Sequence, residues 1–208
     1  MTYPRAKRIA DLLIAGLALV VLAPLLLAVA LALRVTQGRP VFFRQPRMGK
    51  DGVPFLMLKF RTMTVGSSVP TDAHPVRKDH ADPRITPLGR LLRRAALDEL
   101  PQFWNVLRGE MSLVGPRPLP VDDLAHPAWL EIANADERAR RADWARLRQS
   151  VPPGLTGLWQ ISPDPETDFE NWLVRDLDYL RRRSLAFDLY ILLVTPVAIL
   201  RGRRKPGA

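Results

Sequence analysis

The chain contains no cysteine in its 208 residues and only three histidines. Disulfides and thiolate metal sites are excluded, and the redox compartment stays open. His74 and His80 fall in "TVGSSVPTDAHPVRKDHADP", residues 64–83, and lack a metal-ligand spacing on any regular element. They read as solvated side chains of a polar surface loop, long enough to serve as a lid. Acidic residues are also short, 21 against 31 Lys and Arg, so the net charge is +10. That balance favours anionic partners: nucleic acid, acidic lipid or phosphorylated small molecules. No helix-turn-helix or aromatic stacking motif appears, which weighs against nucleic acid. There is no internal repeat. The 20 prolines are spread along the chain and punctuate elements instead of marking a disordered tail.

One long apolar run is present. From Leu12 to Leu33 no charge interrupts about 22 residues, or roughly 33 Å of helix, enough for a bilayer core. Three readings compete. A signal peptide has its basic start in Arg5, Lys7 and Arg8, but the run is longer than such segments carry and passes the small residues Ala28–Ala30. A simple spanning helix meets the positive-inside rule badly, because Arg34, Arg39, Arg44, Arg47 and Lys50 follow the run as closely as basic residues precede it. A re-entrant hairpin bent at Ala23-Pro24 leaves both flanks on one side, and the charges favour it. Carbonyls freed at such a bend need a partner within the protein.

Downstream, "PVFFRQ" and "VPFLMLKF" flank a turn at Asp51-Gly52 and predict a small β-hairpin. "TPLGRLLRRAAL" predicts a helix with Thr86 as N-cap and Pro87 in its first turn. Arg90, Arg93 and Arg94 share a face of it, read either as a solvent or headgroup face or as a phosphate site. Residues 122–150 predict a charged helix burying Trp144 and Leu147. Two further helices follow, the first with Trp172, Leu173, Leu177 and Leu180 at helical spacing. The second, Ser184–Leu200, carries Asp188 and Pro196 and ends in Arg201, Arg203, Arg204 and Lys205. It reads as an interfacial helix meeting acidic lipid, with a buried core helix as the alternative.

Asp98 and Glu99 stand side by side in "LDELPQFWNVLRGEMSLVGPRP". Pro101 is tolerated only in a first turn, so a helix is predicted to start at Asp98, with Leu100, Phe103, Trp104 and Leu107 inward and Gly109 as its C-terminal cap. Asp98 is then either a helix cap and no more, or a carboxylate set among cations to act on phosphorus. Glu99 points elsewhere and suits a divalent cation or a phosphate. Pro116 and Pro118 restrict Arg117 and present its guanidinium with little backbone freedom, as bidentate phosphate binding requires.

"KFRTM" (59–63), the block 97–118 and "PGLTGLWQ" (153–160) resemble, in this order, the bacterial polyprenol-phosphate hexose-1-phosphate transferases, also called monotopic phosphoglycosyl transferases. The likeness extends from "KRIADLL" to "SLAFDLYILL". It implies transfer of a sugar-1-phosphate from a UDP-sugar to undecaprenyl phosphate, with UMP leaving, Mg²⁺ required and the Asp of the dyad as nucleophile. Asp98 and Glu99 are then catalytic and hold the metal. Lys59, Arg61, Arg90, Arg93 and Arg117 are the cations assigned to substrate phosphates, of which Lys59, Arg93 and Arg117 match basic positions of the family. The re-entrant anchor broken at a proline matches Pro24. Departures are Ala23 where Ser is frequent, Pro152 where a basic residue commonly precedes "PG", and no arginine soon after Gln160. They bear on donor selection more than on the reaction.

The expected fold is α-dominant α+β: a re-entrant membrane anchor over 1–38, bent at Pro24, and a compact cytoplasmic catalytic domain over 39–208 with a small β-hairpin and C-terminal interfacial amphipathic helices. The expected place is the bacterial inner membrane, monotopic, with the site on the cytoplasmic face. Expected partners are a UDP-sugar, undecaprenyl phosphate, acidic membrane lipid and downstream membrane glycosyltransferases, with a homodimer compatible and no nucleic acid. The competing reading is a non-enzymatic basic scaffold that binds acidic lipid or glycan-assembly partners.

Overall fold

The computed structural model describes residues 2–66, 82–121, 135–162 and 169–202. Helix α1 (Tyr3–Gln37) has 35 residues and runs through Pro24 as one helix. At 1.5 Å per residue it is about 52 Å long. It is long and apolar enough to cross a membrane, and only 11% of its most apolar window is buried. Leu13, Leu17, Val20, Val21, Leu27, Leu31 and Val35 are exposed along it. A break into two helical arms at Ala23-Pro24, as the sequence suggested, is not what α1 displays.

α1 is nevertheless fastened to the rest of the protein near both ends. Close to its start, Arg8 donates from Nη1 to Val106 O at 2.7 Å and from Nη2 to Leu107 O at 2.9 Å. These carbonyls lie at the end of α3 (Gln102–Arg108), where Val106 O also accepts from Gly109 N at 3.0 Å and a cation complements the helix dipole. Buried Asp11 accepts from Ser112 Oγ at 2.8 Å and Leu113 N at 3.2 Å. At the far end, Gln37 Nε2 donates to Thr86 Oγ1 at 2.9 Å. Ala15 belongs to one hydrophobic cluster with Met57, Val106, Met111 and Ile191, whereas Val29 and Leu33 belong to another with Phe60 and Leu92.

β1 (Phe42–Met48) and β2 (Pro54–Phe60) form the antiparallel hairpin, with Phe43 opposite Lys59 and Arg47 opposite Phe55. The turn holds Asp51 at φ 56° and Gly52 at φ 74°, as the Asp-Gly pair predicts. Pro46 is tolerated because β1 is an edge strand. Helix α2 (Pro87–Arg94) has the predicted cap, Thr86 Oγ1 accepting from Gly89 N at 2.9 Å. Gly109, at φ 84°, ends α3 as expected. Trp104, placed inward by the periodicity, is instead 52% exposed.

β3 (Ser112–Val114) and β4 (Gly154–Thr156) pair in parallel and join the "GPRP" and "PGLTG" segments. The backbones meet so closely that a Cβ on Gly154 would lie 2.1 Å from Gly115 N. α4 (Ala135–Gln149), the short α5 (Leu158–Ile161), α6 (Phe169–Arg182) and α7 (Leu185–Gly202) complete the described chain. In α4, Trp144 is buried as expected, but Leu147 is half exposed and Arg148 is buried in its place. Arg148 is the donor to Asp176 of α6, Nε to Oδ2, at 3.0 Å. Asp188 of α7 is buried; it pairs with Lys7 Nζ at 2.9 Å and accepts from the Tyr3 and Tyr179 hydroxyls at 3.0 Å each. Leu185, Leu189, Tyr190, Leu193, Val197 and Leu200 face outward on α7. Residues 67–81, with His74 and His80, and residues 203–208, with the basic cluster after Arg201, lie outside the described residues.

Candidate active site

The acidic pair is set by a chain reversal after α2. Ala96 adopts φ 49° and ψ 21°, a left-handed conformation that alanine takes at a cost of about 1–2 kcal/mol. Leu97–Glu99 then form a single 3₁₀ turn, Glu99 N–H donating to Ala96 O at 3.4 Å and Leu100 N–H to Leu97 O at 3.3 Å. The turn passes through Leu100 and Pro101 into α3. Asp98 is therefore not the N-cap of that helix; Pro101 occupies the capping position and makes no side-chain cap bond. Proline has no N–H and a fixed φ, so the preceding turn closes tightly and the α-helical ladder begins after it.

Asp98 is 9% exposed. Glu99 is more open, and its Oε1 lies 2.7 Å from Lys59 Nζ at the end of β2. From α2, Arg93 donates from Nε to the buried Thr62 Oγ1 at 2.9 Å. Burial lowers the Arg93 guanidinium from its ordinary value; the charges of Asp98, Asp82 and Glu99 oppose that, and Arg84 reinforces it. Beside it, hydrogen bonds from Arg84 hold the Asp82 carboxyl down to about 2. Lys59 thus pairs with Glu99, and Arg93 feels the charges of both Asp98 and Glu99.

The close seating of α2 depends on Gly89. A Cβ there would stand 2.1 Å from Thr62 O, the carbonyl that also accepts from Thr86 N at 3.0 Å. Thr62, which holds Arg93, went unnoticed in the sequence; its place inside "KFRTM" is the only signal it offers.

The other three cations are placed differently. Arg61 is buried and donates from Nη2 to Gln37 O at 2.5 Å and Gly38 O at 3.3 Å, capping the end of α1. Its Nε and Nη1 have no hydrogen-bond partner among the described residues. Arg90 is exposed and donates to Ile85 O at 3.3 Å. Arg117 stacks over Trp159, its guanidinium carbon 4.7 Å from the ring centroid, and its carbonyl accepts from Arg148 Nη2. Its segment runs along the turn end of the hairpin, where Arg47 Nη1 donates to Pro118 O at 3.0 Å. The register puts Arg47 four residues from Phe43, the partner of Lys59, or about 13 Å along the strand. Ala23 and Pro24 sit within α1, Pro24 exposed.

Among the described residues no group of three or more acidic or histidine side chains converges as a metal cage. Asp98 and Glu99 carry hard carboxylate oxygens of the type that Mg²⁺ takes one or two at a time, and here Glu99 Oε1 is engaged by Lys59 Nζ at 2.7 Å.

Comparison with known proteins places the chain in a family. Residues 2–202 match the model of the bacterial sugar transferases. The UDP-glucose:undecaprenyl-phosphate glucose-1-phosphate transferase of Escherichia coli is 38% identical over 194 residues, covering 91% of this chain and 39% of its own length. The transferase of the same name from Caulobacter vibrioides is 40% identical over 93% of this chain and 69% of its own. The exopolysaccharide production protein ExoY of Sinorhizobium fredii is 38% identical over 95% of this chain and 87% of its own. The chain thus spans about two fifths of the Escherichia coli relative and most of ExoY. With the family model matched over nearly its whole length, the chain belongs to the bacterial sugar transferase family.

Proposed function

We propose that the protein transfers a sugar-1-phosphate from a UDP-sugar to undecaprenyl phosphate on the cytoplasmic face of the bacterial inner membrane, initiating a lipid-linked glycan or exopolysaccharide. An Asp98 carboxylate oxygen attacks the phosphorus that bears the sugar. The bond from that phosphorus to the bridging oxygen breaks, UMP leaves, and a phosphosugar–aspartyl anhydride remains. An oxygen of the lipid phosphate then attacks the same phosphorus and the bond to Asp98 breaks, restoring the carboxylate. Lys59 and Arg93 balance charge on the phosphoryl oxygens. Asp98 and Glu99 would hold Mg²⁺, which when bound neutralises diphosphate charge.

The observation that supports this reading is the strained turn carrying Asp98 and Glu99, with Glu99 paired to Lys59 and the charges of both acids acting on Arg93. The test is UMP release from a UDP-sugar, UDP-glucose first given the names of the relatives, with undecaprenyl phosphate as acceptor. Asp98→Asn is expected to lower it by about 10³-fold or more, because the amide is neither charged nor nucleophilic. Release that survives the substitution removes the assigned nucleophile; no release from the wild-type chain, with lipid binding unchanged by Asp98→Asn, leaves the scaffold reading.

The monotopic anchor has independent support in the attachment of α1. Ala15 and Val29 each lie in a core cluster of the folded body, and the 14 residues between them rise only about 21 Å, short of the roughly 30 Å of hydrocarbon in a bilayer. Attachment of one body at both points favours an arrangement with the two ends of α1 on one side.

A further inference from the structure

On the second edge of β2, away from β1, a side chain of α3 bonds Leu56 O and Leu58 N. Asn105 of α3 is 2% exposed. Its Oδ1 accepts from Leu58 N at 3.0 Å, and its Nδ2 donates to Leu56 O at 2.8 Å and to Glu110 Oε2 at 2.7 Å. The carboxamide thus stands in for one rung of a neighbouring strand. Turned over, it would set its NH₂ against the Leu58 N–H and its oxygen against Leu56 O, so only one orientation is satisfied. No other side chain of this size offers both an acceptor and a two-hydrogen donor.

The two strips of chain that this amide joins are the two that carry the acidic pair and its lysine. Lys59 is the residue after Leu58. Glu99 precedes Asn105 by six residues, about 9 Å at helical rise. The Lys59–Glu99 contact closes one end of this frame and the Asn105 clamp closes the other. A part-exposed ion pair contributes little by itself and does not hold two elements in register. Buried amide-to-backbone bonds do, because breaking them leaves β2 groups unpaired away from water.

We infer that Asn105 is a positioning residue for the reaction: it acts through Lys59, fixing the ammonium against Glu99 and so the charge balance beside Asp98. The inference rests on the reading of Asp98 and Glu99 as the reacting pair, but the frame itself can be tested without turnover. The full chain in detergent or nanodiscs is pulse-labelled with acetic anhydride, and acetylation at Lys7, Lys50 and Lys59 is followed by peptide mass spectrometry. In Asn105→Ala, Lys59 is expected to label several-fold faster while Lys7 and Lys50 keep their wild-type rates. Asn105→Asp keeps an acceptor for Leu58 N–H but sets negative oxygen against Leu56 O and Glu110, and the same selective rise is expected. An unchanged Lys59 rate, or a rise at all three lysines together, overturns the frame.

The activity arm reads the coupling. Asn105→Ala is expected to lower kcat by about tenfold with little change in KM, as for a reacting group displaced by a fraction of an ångström. In a Lys59→Met background the same substitution is expected to cost no more than about twofold further. Fully multiplicative losses mean that Asn105 does not act through Lys59, and overturn the inference. If Asp98→Asn leaves UMP release intact, the assignment of the dyad fails while the labelling result still decides the frame.

Discussion

Gly89 shows how a single residue can reverse a general rule. Replacing a helical glycine with alanine ordinarily stabilises by about 1 kcal/mol, through propensity. Here the added methyl would overlap Thr62 O, a backbone atom that cannot swing aside. Overpacking of this kind costs about 1–3 kcal/mol, so Gly89→Ala is expected to lower the midpoint of thermal unfolding and, by lifting α2 with Arg93, to reduce turnover. Gly16→Ala is the control, since nothing lies within 4 Å of its added Cβ; a matching loss there means that the contact at Thr62 is not the cause. Asp98 and Glu99 were legible at this scale because two adjacent acids stand out in a basic chain. The reversed backbone at Ala96 and the hydroxyl of Thr62 were not. An alanine carries no signal for positive φ, and a threonine in a strand-like run looks like any other.

Elements were legible where local chemistry terminates them. The Asp51-Gly52 turn, the Thr86-Pro87 start of α2 and the Gly109 cap each follow from a residue whose own φ or hydrogen bond sets the boundary. The parallel pair β3–β4 was not legible: three residues per strand show no period, and the partners lie some 40 positions apart. For α1, composition announced a membrane element and Pro24 suggested a bend, yet the helix is continuous and its attachments carry the topological argument. The absence of cysteine makes that argument easy to test. Single cysteines at Thr2 and at the exposed Val53 are expected to react with a membrane-impermeant maleimide from the same side of oriented vesicles. Labelling from opposite sides would restore a spanning helix.

Across the whole molecule, the buried pair of Arg148 and Asp176 ties α4 to α6 and reaches the "GPRP" segment through Arg117 O. Burial pushes the Asp176 carboxyl up and draws Arg148 down, and each partner holds the other back. Removing one member strands a buried charge. Asp176→Leu is expected to destabilise by about 3–5 kcal/mol in chemical denaturation, whereas Arg148→Met with Asp176→Leu recovers most of the loss. If the double variant is no better than the single, the loss lies in packing and not in charge. By itself the sequence determined the long apolar helix, the adjacency of the two acids, the turn and cap punctuation and the family, because each depends on residue type, local φ or short-range period. Tertiary structure alone decided that Lys59 meets Glu99 and Arg93 bonds Thr62, while Arg61 closes α1 and Arg117 stacks on Trp159. It also decided that α1 is pinned at both ends. These outcomes depend on contacts between residues up to 185 positions apart, for which the chain carries no local mark.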